Sequence, residues 1–352
     1  TTNISVEIDD DYFAALEAGH RRAVRVHKRV QAGMIANGEP GFFNSSLASK
    51  GERGDVRCTN PCGEIALEEW ESCNLGHVNL SGMGMHGPDE VDAMPFVLMA
   101  RFLVRATFVG LLDEKQAAVE RRNRRVGVGI LGFQEWLVQN GVRYSEVAAS
   151  GSAQWALEHF AMAATKAADR YADSMEIPRP VKHTTVAPTG TVAKLAGVSE
   201  GIHPIYSRYF VRRVRYSNDD ALLAGLVEQG YTTERCIYNP ATTVVLFHVR
   251  DAILDVANSE LVEQADELSV ADKLSAQETV QRTYADNAVS YTVNMSDSTT
   301  PEELFGGLAD YLPRLKGTTV FPVNSRPQSP YTQLTEAEYL AASDHGVAQG
   351  FD

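Results

Sequence analysis

Cysteine is scarce in this 352-residue chain, which has only Cys58, Cys62, Cys73 and Cys236. Four cysteines are too few to brace a chain of this length as a disulfide scaffold. Three of them fall in one short stretch, which suggests chemistry in a reducing compartment rather than stapling. Basic charge is also in short supply: 32 Lys and Arg stand against 46 Asp and Glu, a formal net charge of −14. That is the wrong sign for sequence-independent binding to nucleic acid, so direct nucleic-acid contact is not expected. Any phosphate the protein holds should be met locally by backbone amides. No apolar run is long enough to span a bilayer, and Thr1–Asp11 has neither the basic start nor the hydrophobic middle of a secretory signal. These absences place the protein in the cytoplasm, away from membranes. There is no internal repeat, low-complexity tract or clear linker.

What is present is a globular composition, 44% hydrophobic and 22% charged, enough for one large core or two ordinary ones. Strand-like and helix-like stretches alternate. Asn3–Ile8 is apolar at Ile4, Val6 and Ile8, and a helical run follows from Asp11 to about Ala36, ended by Gly38, Pro40 and Gly41. Helices are predicted over Pro88–Arg125 and Ser152–Ser174, within Ser275–Ala288 and over Pro301–Tyr311, and an apolar stretch Val126–Leu131 leads into Phe133–Asn140. Strands are predicted at Thr184–Val186, Thr242–Val249, Val289–Met295 and Thr318–Val323. The alternation favours an α/β architecture with mainly parallel strands.

The chemistry-bearing stretch is Cys58-Thr-Asn-Pro-Cys-Gly-Glu-Ile65, continuing through Glu71-Ser-Cys-Asn-Leu-Gly-His-Val-Asn-Leu80. In an extended chain alternate side chains share a face, which would line one pocket with Asn60, Cys62 and Glu64. A turn whose cysteines are merely buried is the plain alternative. Zinc is the sharper one, with Cys58, Cys62, Cys73 and His77 as ligands, although spacings of four and eleven residues are not the short paired knuckles of structural zinc. A second motif, Ala187-Pro-Thr-Gly-Thr191, places a turn before a helix, where free N–H groups and two hydroxyls would face an anion. Alone it could equally be a tight turn with a capping threonine. Gly127, Gly129 and Gly132 match a dinucleotide fingerprint as a pattern, but the acidic residue that motif needs about 20 residues on would fall in the Ser152 helix. They are read as close strand–helix packing.

Asn60-Pro-Cys-Gly-Glu64, with Ser72-Cys-Asn-Leu-Gly76 and Val78-Asn-Leu80, resembles the finger loop of ribonucleotide reductases, particularly the adenosylcobalamin-dependent class II. Ala187–Thr191 with Gly197-Val-Ser-Glu-Gly-Ile-His-Pro204 resembles that family's phosphate-binding turn. Gly38–Gly41, Arg124–Gly132, Asp286–Ser290, Leu315–Thr319 and Ser325-Arg326 extend the resemblance over most of the chain. His203 stands where the family usually has a glutamate.

The resemblance implies the C-terminal part of a ten-stranded α/β barrel over residues 1–352, with a central finger loop (58–80) and a phosphate-binding turn (187–204). It implies that Cys62 carries a thiyl radical, that Glu64 is the base on the ribose 3′ hydroxyl, and that Asn60 orients the sugar. Cys73 would be one of the reducing pair, and Pro188, Thr189, Gly190 and Thr191 would hold the substrate phosphate. No protein metal site is expected. Iron-dependent relatives carry an adjacent tyrosine pair on a late strand, where Thr318-Thr-Val-Phe321 stands here, and Ala348-Gln-Gly350 is unlike a glycyl-radical loop. Adenosylcobalamin is therefore the implied cofactor. The implied partners are a ribonucleotide, a thioredoxin-type or dithiol reductant, an N-terminal half of the reductase that supplies the other redox cysteine and closes the barrel, and a second copy in a homodimer. Similarity to the larger, dimeric cobalamin group points to diphosphate substrates. The alternatives are a non-catalytic structural fragment and a cysteine hydrolase built on Cys62, for which no histidine shows a partner motif.

Overall fold

The computed structural model describes residues 4–87, 91–296, 299–322 and 327–343. Ser325, Arg326, Pro88 and the stretch Ala348–Gly350 lie outside the described residues. The chain opens with strand β1 (Ser5–Ile8), helices α1 (Asp10–Glu17) and α2 (Arg21–Asn37), strand β2 (Gly41–Asn44) and a single turn, α3 (Ser45–Ala48). A hairpin follows, β3 (Cys58–Thr59) with β4 (Ala66–Leu67). Then come β5 (Leu75–Asn79), α4 (Met94–Ala106), α5 (Glu114–Asn123), β6 (Gly127–Leu131), α6 (Phe133–Gln139), α7 (Gly151–Ser174) and α8 (Gly190–Ala196). The remainder is β7 (Tyr209–Ser217), α9 (Ala221–Glu228), β8 (Thr233–Arg235), β9 (Thr242–Arg250), α10 (Val270–Thr283), β10 (Thr292–Met295), α11 (Pro301–Tyr311), β11 (Gly317–Pro322), β12 (Tyr331–Gln333) and α12 (Glu336–Ser343).

Two of the long predicted helices are each two helices. Ala18 and Gly19 close the first turn-pair before α2 begins at Arg21, and Asp113 caps α5 through its side chain at the amides of Lys115 and Gln116. A side-chain cap of this kind stabilises a fresh helix start by about 1 kcal/mol, which favours two short helices over one strained rod. The predicted start of the Ser275 helix is also late. Ser269 and Asp272 form a capping box, so α10 begins at Val270, as the Ser-x-x-acidic spacing dictates.

The main ladder is parallel over most of its width. β5 pairs with β6 in parallel. Val128 bridges Thr184, and Val186 bridges Val289, both in parallel. The chain from Val289 continues into β10, which pairs with β11 in parallel. β11 then meets β2 antiparallel, and β2 pairs β1 in parallel. Five parallel tracks thus run opposite to a parallel pair, with helices packed outside them. Phe96 of α4 stacks on Phe160 of α7 at 4.4 Å between ring centroids, and Trp136, Leu157 and Ile130 are fully buried in the same core. A second, wholly antiparallel sheet, ordered β12-β7-β9-β8, stands beyond α8. Of its strands only β9 is predicted by the sequence, because the adjacent Arg212 and Arg213 in β7 blur the alternation that marks a half-buried strand.

Candidate active site

The finger loop is a tight hairpin, not an extended chain. Cys58 pairs with Leu67 and Thr59 with Ala66, and Asn60 closes the four-residue tip. Its side-chain oxygen accepts from the Ile65 amide at 3.0 Å, its own amide donates to the Ile65 carbonyl at 3.0 Å, and its carbonyl accepts from the Gly63 amide at 3.0 Å. Gly63 sits at φ +80°, a left-handed conformation that glycine adopts without steric cost. The shared-face argument for Asn60, Cys62 and Glu64 therefore fails in its geometry. What gathers these groups is the turn.

The tip is pinned to the ladder through Glu64. The Glu64 carbonyl accepts from the Ala288 amide at 2.8 Å and from the Thr185 hydroxyl at 3.1 Å. Its carboxyl is 2% exposed, hydrogen-bonded by Asn60, and its Oε2 is buried without a partner. Burial pushes the Glu64 carboxyl above the usual carboxylate range, although the hydrogen bonds from its own backbone and Asn60 oppose the shift. Cys62 is exposed at the tip. Its thiol is pushed up by burial first and then by the nearby Glu64 and Cys73. Cys73, partly buried, is raised by burial and by Glu64, and lowered by its own backbone and by Arg125. Cys62, Glu64 and Cys73 thus form one electrostatically coupled group, and both thiols are held in the neutral S–H form.

Sequence reasoning missed the platform beneath this group. Arg125 is 1% exposed and binds Glu71 through Nε at 2.8 Å, Glu52 through Nη2 at 2.5 Å and Asn287 through Nη1 at 3.0 Å. Asn123 donates to Glu68 and Glu71 at 2.6 and 2.9 Å. The stretch 68–71 between the finger hairpin and Cys73 is therefore anchored by a buried cation. The signal was present as Arg124-Arg-Val-Gly, but one arginine in a motif does not announce which carboxylates it will find.

Gly127 and Gly129 admit close neighbours, although from strands rather than from a helix. A Cβ on Gly127 would meet Leu75 at 2.5 Å and Thr185 at 2.8 Å, and one on Gly129 would meet the His77 ring at 2.4 Å. His77 is thereby folded against β6. Among the described residues no group of three or more His, Cys, Asp or Glu is placed to hold a metal ion, so Cys58, Cys62, Cys73 and His77 do not converge as the zinc alternative requires.

The second motif forms the start of α8. Thr189 lies at φ +54° and is 9% exposed, and its hydroxyl accepts from the Gly201 amide at 2.7 Å. Of the two hydroxyls assigned to an anion, Thr189 is thus turned into the fold as a brace, and Thr191 remains exposed with the first amides of the helix. His203 is half-buried and held within the fold. Its Nε2 accepts from the Thr292 amide at 3.0 Å, its Nδ1 faces the Glu200 carbonyl at 3.2 Å, and its ring stacks on Tyr291 at 4.7 Å.

A largely parallel α/β ladder with a thiol-bearing hairpin pinned to it defines the class: an α/β barrel-type protein with an inserted finger loop. The profile of the "Ribonucleotide reductase, barrel domain" family matches residues 16–180 and 178–306, and the chain belongs to that family. It is 41% identical to a putative adenosylcobalamin-dependent ribonucleoside-triphosphate reductase of Mycobacterium phage D29, over 100% of this chain and 54% of that protein. It is 32% identical to the adenosylcobalamin-dependent ribonucleoside-triphosphate reductase of Lactobacillus gasseri, over 89% of this chain and 45% of that protein. The chain spans about half the length of the curated relatives it matches. A crystal structure of a B12-dependent class II ribonucleotide reductase superposes with a TM-score of 0.80 at 30% identity, covering 99% of this chain and 50% of that one. The alpha subunit of the Actinobacillus ureae class Id enzyme shares the fold, with a TM-score of 0.64 at 19% identity, over 92% of this chain and 65% of that one.

Proposed function

We propose that this chain carries the radical-bearing thiol and the substrate-phosphate turn of an adenosylcobalamin-dependent ribonucleotide reductase, a cytoplasmic enzyme that makes 2′-deoxyribonucleotides. The observation that carries the reading is the finger hairpin itself, which brings Cys62, Glu64 and Cys73 into one coupled group with Asn60 closing the turn. Adenosylcobalamin, when bound, supplies the radical that removes the hydrogen atom of the Cys62 thiol. The site suits a bulky radical source, since Cys62 is exposed and a Cβ at the neighbouring Gly63 would meet nothing within 4 Å.

Hydrogen-atom transfer needs an intact S–H bond, and the elevated pKa of Cys62 keeps it. The Cys62 thiyl then takes the hydrogen from C3′ of the ribose. Glu64, its carboxyl raised above the usual carboxylate range by burial, accepts the 3′ hydroxyl proton and returns it to the 3′ oxygen as C3′ is reduced, and Asn60 holds both Glu64 and the sugar in register. The 2′ hydroxyl leaves as water. Two thiols, Cys73 and a second one from the N-terminal half of the reductase, give two electrons and two protons and become a disulfide, after which Cys62 returns its hydrogen to C3′. The amides of Thr189, Gly190 and Thr191 receive the phosphate, with Pro188, which has no N–H, fixing the turn and the Thr189 hydroxyl bracing it against the Gly201 amide.

The relatives named for triphosphates favour a ribonucleoside triphosphate over the diphosphate that the dimeric group suggested. The N-terminal half is expected along the outer edges of β1 and β5, each of which pairs with one neighbour only among the described residues. A thioredoxin-type or dithiol reductant reduces the Cys73 disulfide back to two thiols and is itself oxidised to a disulfide. A second copy has a face to meet in Met94, Leu98 and Phe102, successive turns of α4 that are each more than half exposed.

The test is deoxynucleotide formation from a ribonucleoside triphosphate with adenosylcobalamin and dithiothreitol, for the chain with and without the N-terminal half, beside Cys62→Ala. Product that needs Cys62 supports the reading. A fully active Cys62→Ala protein contradicts it.

A further inference from the structure

Cys73 lies just ahead of the point where the ladder takes hold of the chain. The pairing with β6 starts with the Gly127 amide donating to the Asn74 carbonyl at 2.9 Å, and Leu75 opens the paired register. Ahead of that start the tie is helix α5. Gln116 Nε2 donates to the Ser72 hydroxyl at 2.7 Å, and Asn74 Nδ2 donates to Glu120 Oε1 at 2.9 Å. Gln116 and Glu120 stand one helical turn apart and so share a face of α5. They grip the two residues that flank Cys73. The helix also holds the chain further upstream: the Lys115 ammonium lies 4.8 Å from the centre of the Trp70 ring, and Arg122 pairs with Glu68. Trp70 is at φ +70°, a left-handed conformation that a bulky residue keeps only where its surroundings impose it.

Both contacts are sheltered, with Glu120 buried and Gln116 half-buried. The second oxygen of Glu120, Oε2, is buried without a hydrogen-bond partner, so the Asn74 amide is the one side-chain donor its carboxyl has among the described residues. Such a contact is costly to break. The Cys73 thiol is itself only partly buried. Burial raises its pKa most, then Glu64; Arg125 opposes the shift, and Glu120 is the smaller carboxylate influence. Helix α5 therefore fixes the flanks of Cys73 and leaves its sulfur to the finger loop. Fixed flanks matter for a thiol that must meet another, because a disulfide tolerates Cα separations of only about 4.4–6.8 Å.

We propose that Gln116 and Glu120 are positioning residues for Cys73, with α5 acting as a splint that sets where the Cys73 backbone stands relative to the finger loop and to the second thiol. That Cys73 serves in reduction rests on the ribonucleotide-reduction reading, whereas its placement by α5 does not. The test is the rate at which iodoacetamide alkylates Cys73 in the full chain, resolved by mass spectrometry after cleavage at glutamate, with Cys62 in the same digest as the reference. Gln116→Ala and Ser72→Ala change no charge, and a partly buried thiol released from its splint gains access. Each should raise the Cys73 rate about fivefold, the factor one lost hydrogen bond allows. The double variant should go no further than either single one, because both remove the same contact. Asn74→Ala, which breaks the Glu120 contact, should raise the rate similarly, and Cys62 should react as in the parent throughout. A Cys73 to Cys62 ratio unchanged in Gln116→Ala or in Asn74→Ala, effects that multiply in the double variant, or a rise shared equally by Cys62 would overturn the proposal. Neither the N-terminal half nor adenosylcobalamin enters this assay, so a failed turnover experiment leaves its result intact.

Discussion

The amide of Ala288 donates to the carbonyl of Glu64 at 2.8 Å, so the finger-loop tip hangs on the strand that follows the Asp286-Asn287 turn. The Thr185 hydroxyl reaches the same carbonyl, and the Ala288 carbonyl at 3.0 Å. Thr185→Val keeps the shape and removes this donor. It should cost about 1 kcal/mol in urea unfolding and lower kcat more than it raises KM, since Glu64 would be held less firmly while the phosphate turn stays intact.

Arg125 is the only buried cation shared by Glu52 and Glu71 among the described residues. Arg125→Met would leave two buried carboxylates uncompensated, a loss of roughly 3–5 kcal/mol. Thermal unfolding should show a large drop, and the triple change Arg125→Met, Glu52→Gln and Glu71→Gln should recover part of it.

Gly129→Ala should destabilise by about 1–3 kcal/mol, because the new Cβ would sit 2.4 Å from the His77 ring. Adding His77→Ala removes that clash, and recovery in the double variant, read by denaturant midpoint, would confirm that the glycine serves β5–β6 packing.

Glu64 gives a pH signature with two readouts. Its folded pKa is raised by burial, so the folded state holds the proton more tightly than the unfolded one. The stability this contributes is present below the ordinary carboxylate range and is lost as pH rises through the elevated folded value. Activity runs the opposite way, because a base must be deprotonated, and so it should climb with pH through the same window. In Glu64→Gln both dependences should flatten, and turnover should fall by roughly 10²–10⁴.

Much of this was legible in the sequence. The Asn60-Pro-Cys-Gly-Glu64 and Ala187–Thr191 segments pointed to the candidate site because each is local in the chain, and α7 and α11 followed from apolar periodicity and flanking caps. The rest depended on contacts distant in sequence. That Asn60 would close a hairpin rather than line an extended strand is settled by two hydrogen bonds to Ile65. That Thr189 would turn inward depends on Gly201 arriving behind it. The partners of Arg125 lie 54, 73 and 162 residues away, a choice no local pattern encodes. β7 was hidden because its two adjacent arginines serve opposite faces, Arg213 paired with Glu234 and Arg212 exposed.

The most direct test of the Cys62 assignment is tritium release to water from adenosylcobalamin labelled at the adenosyl 5′ carbon, measured with the chain and its N-terminal half. Hydrogen passing reversibly through the Cys62 thiol exchanges with solvent, so the parent protein should release tritium and Cys62→Ala should release none, while Cys73→Ala still does. Equal release from Cys62→Ala would show that another group carries the radical and would contradict the account.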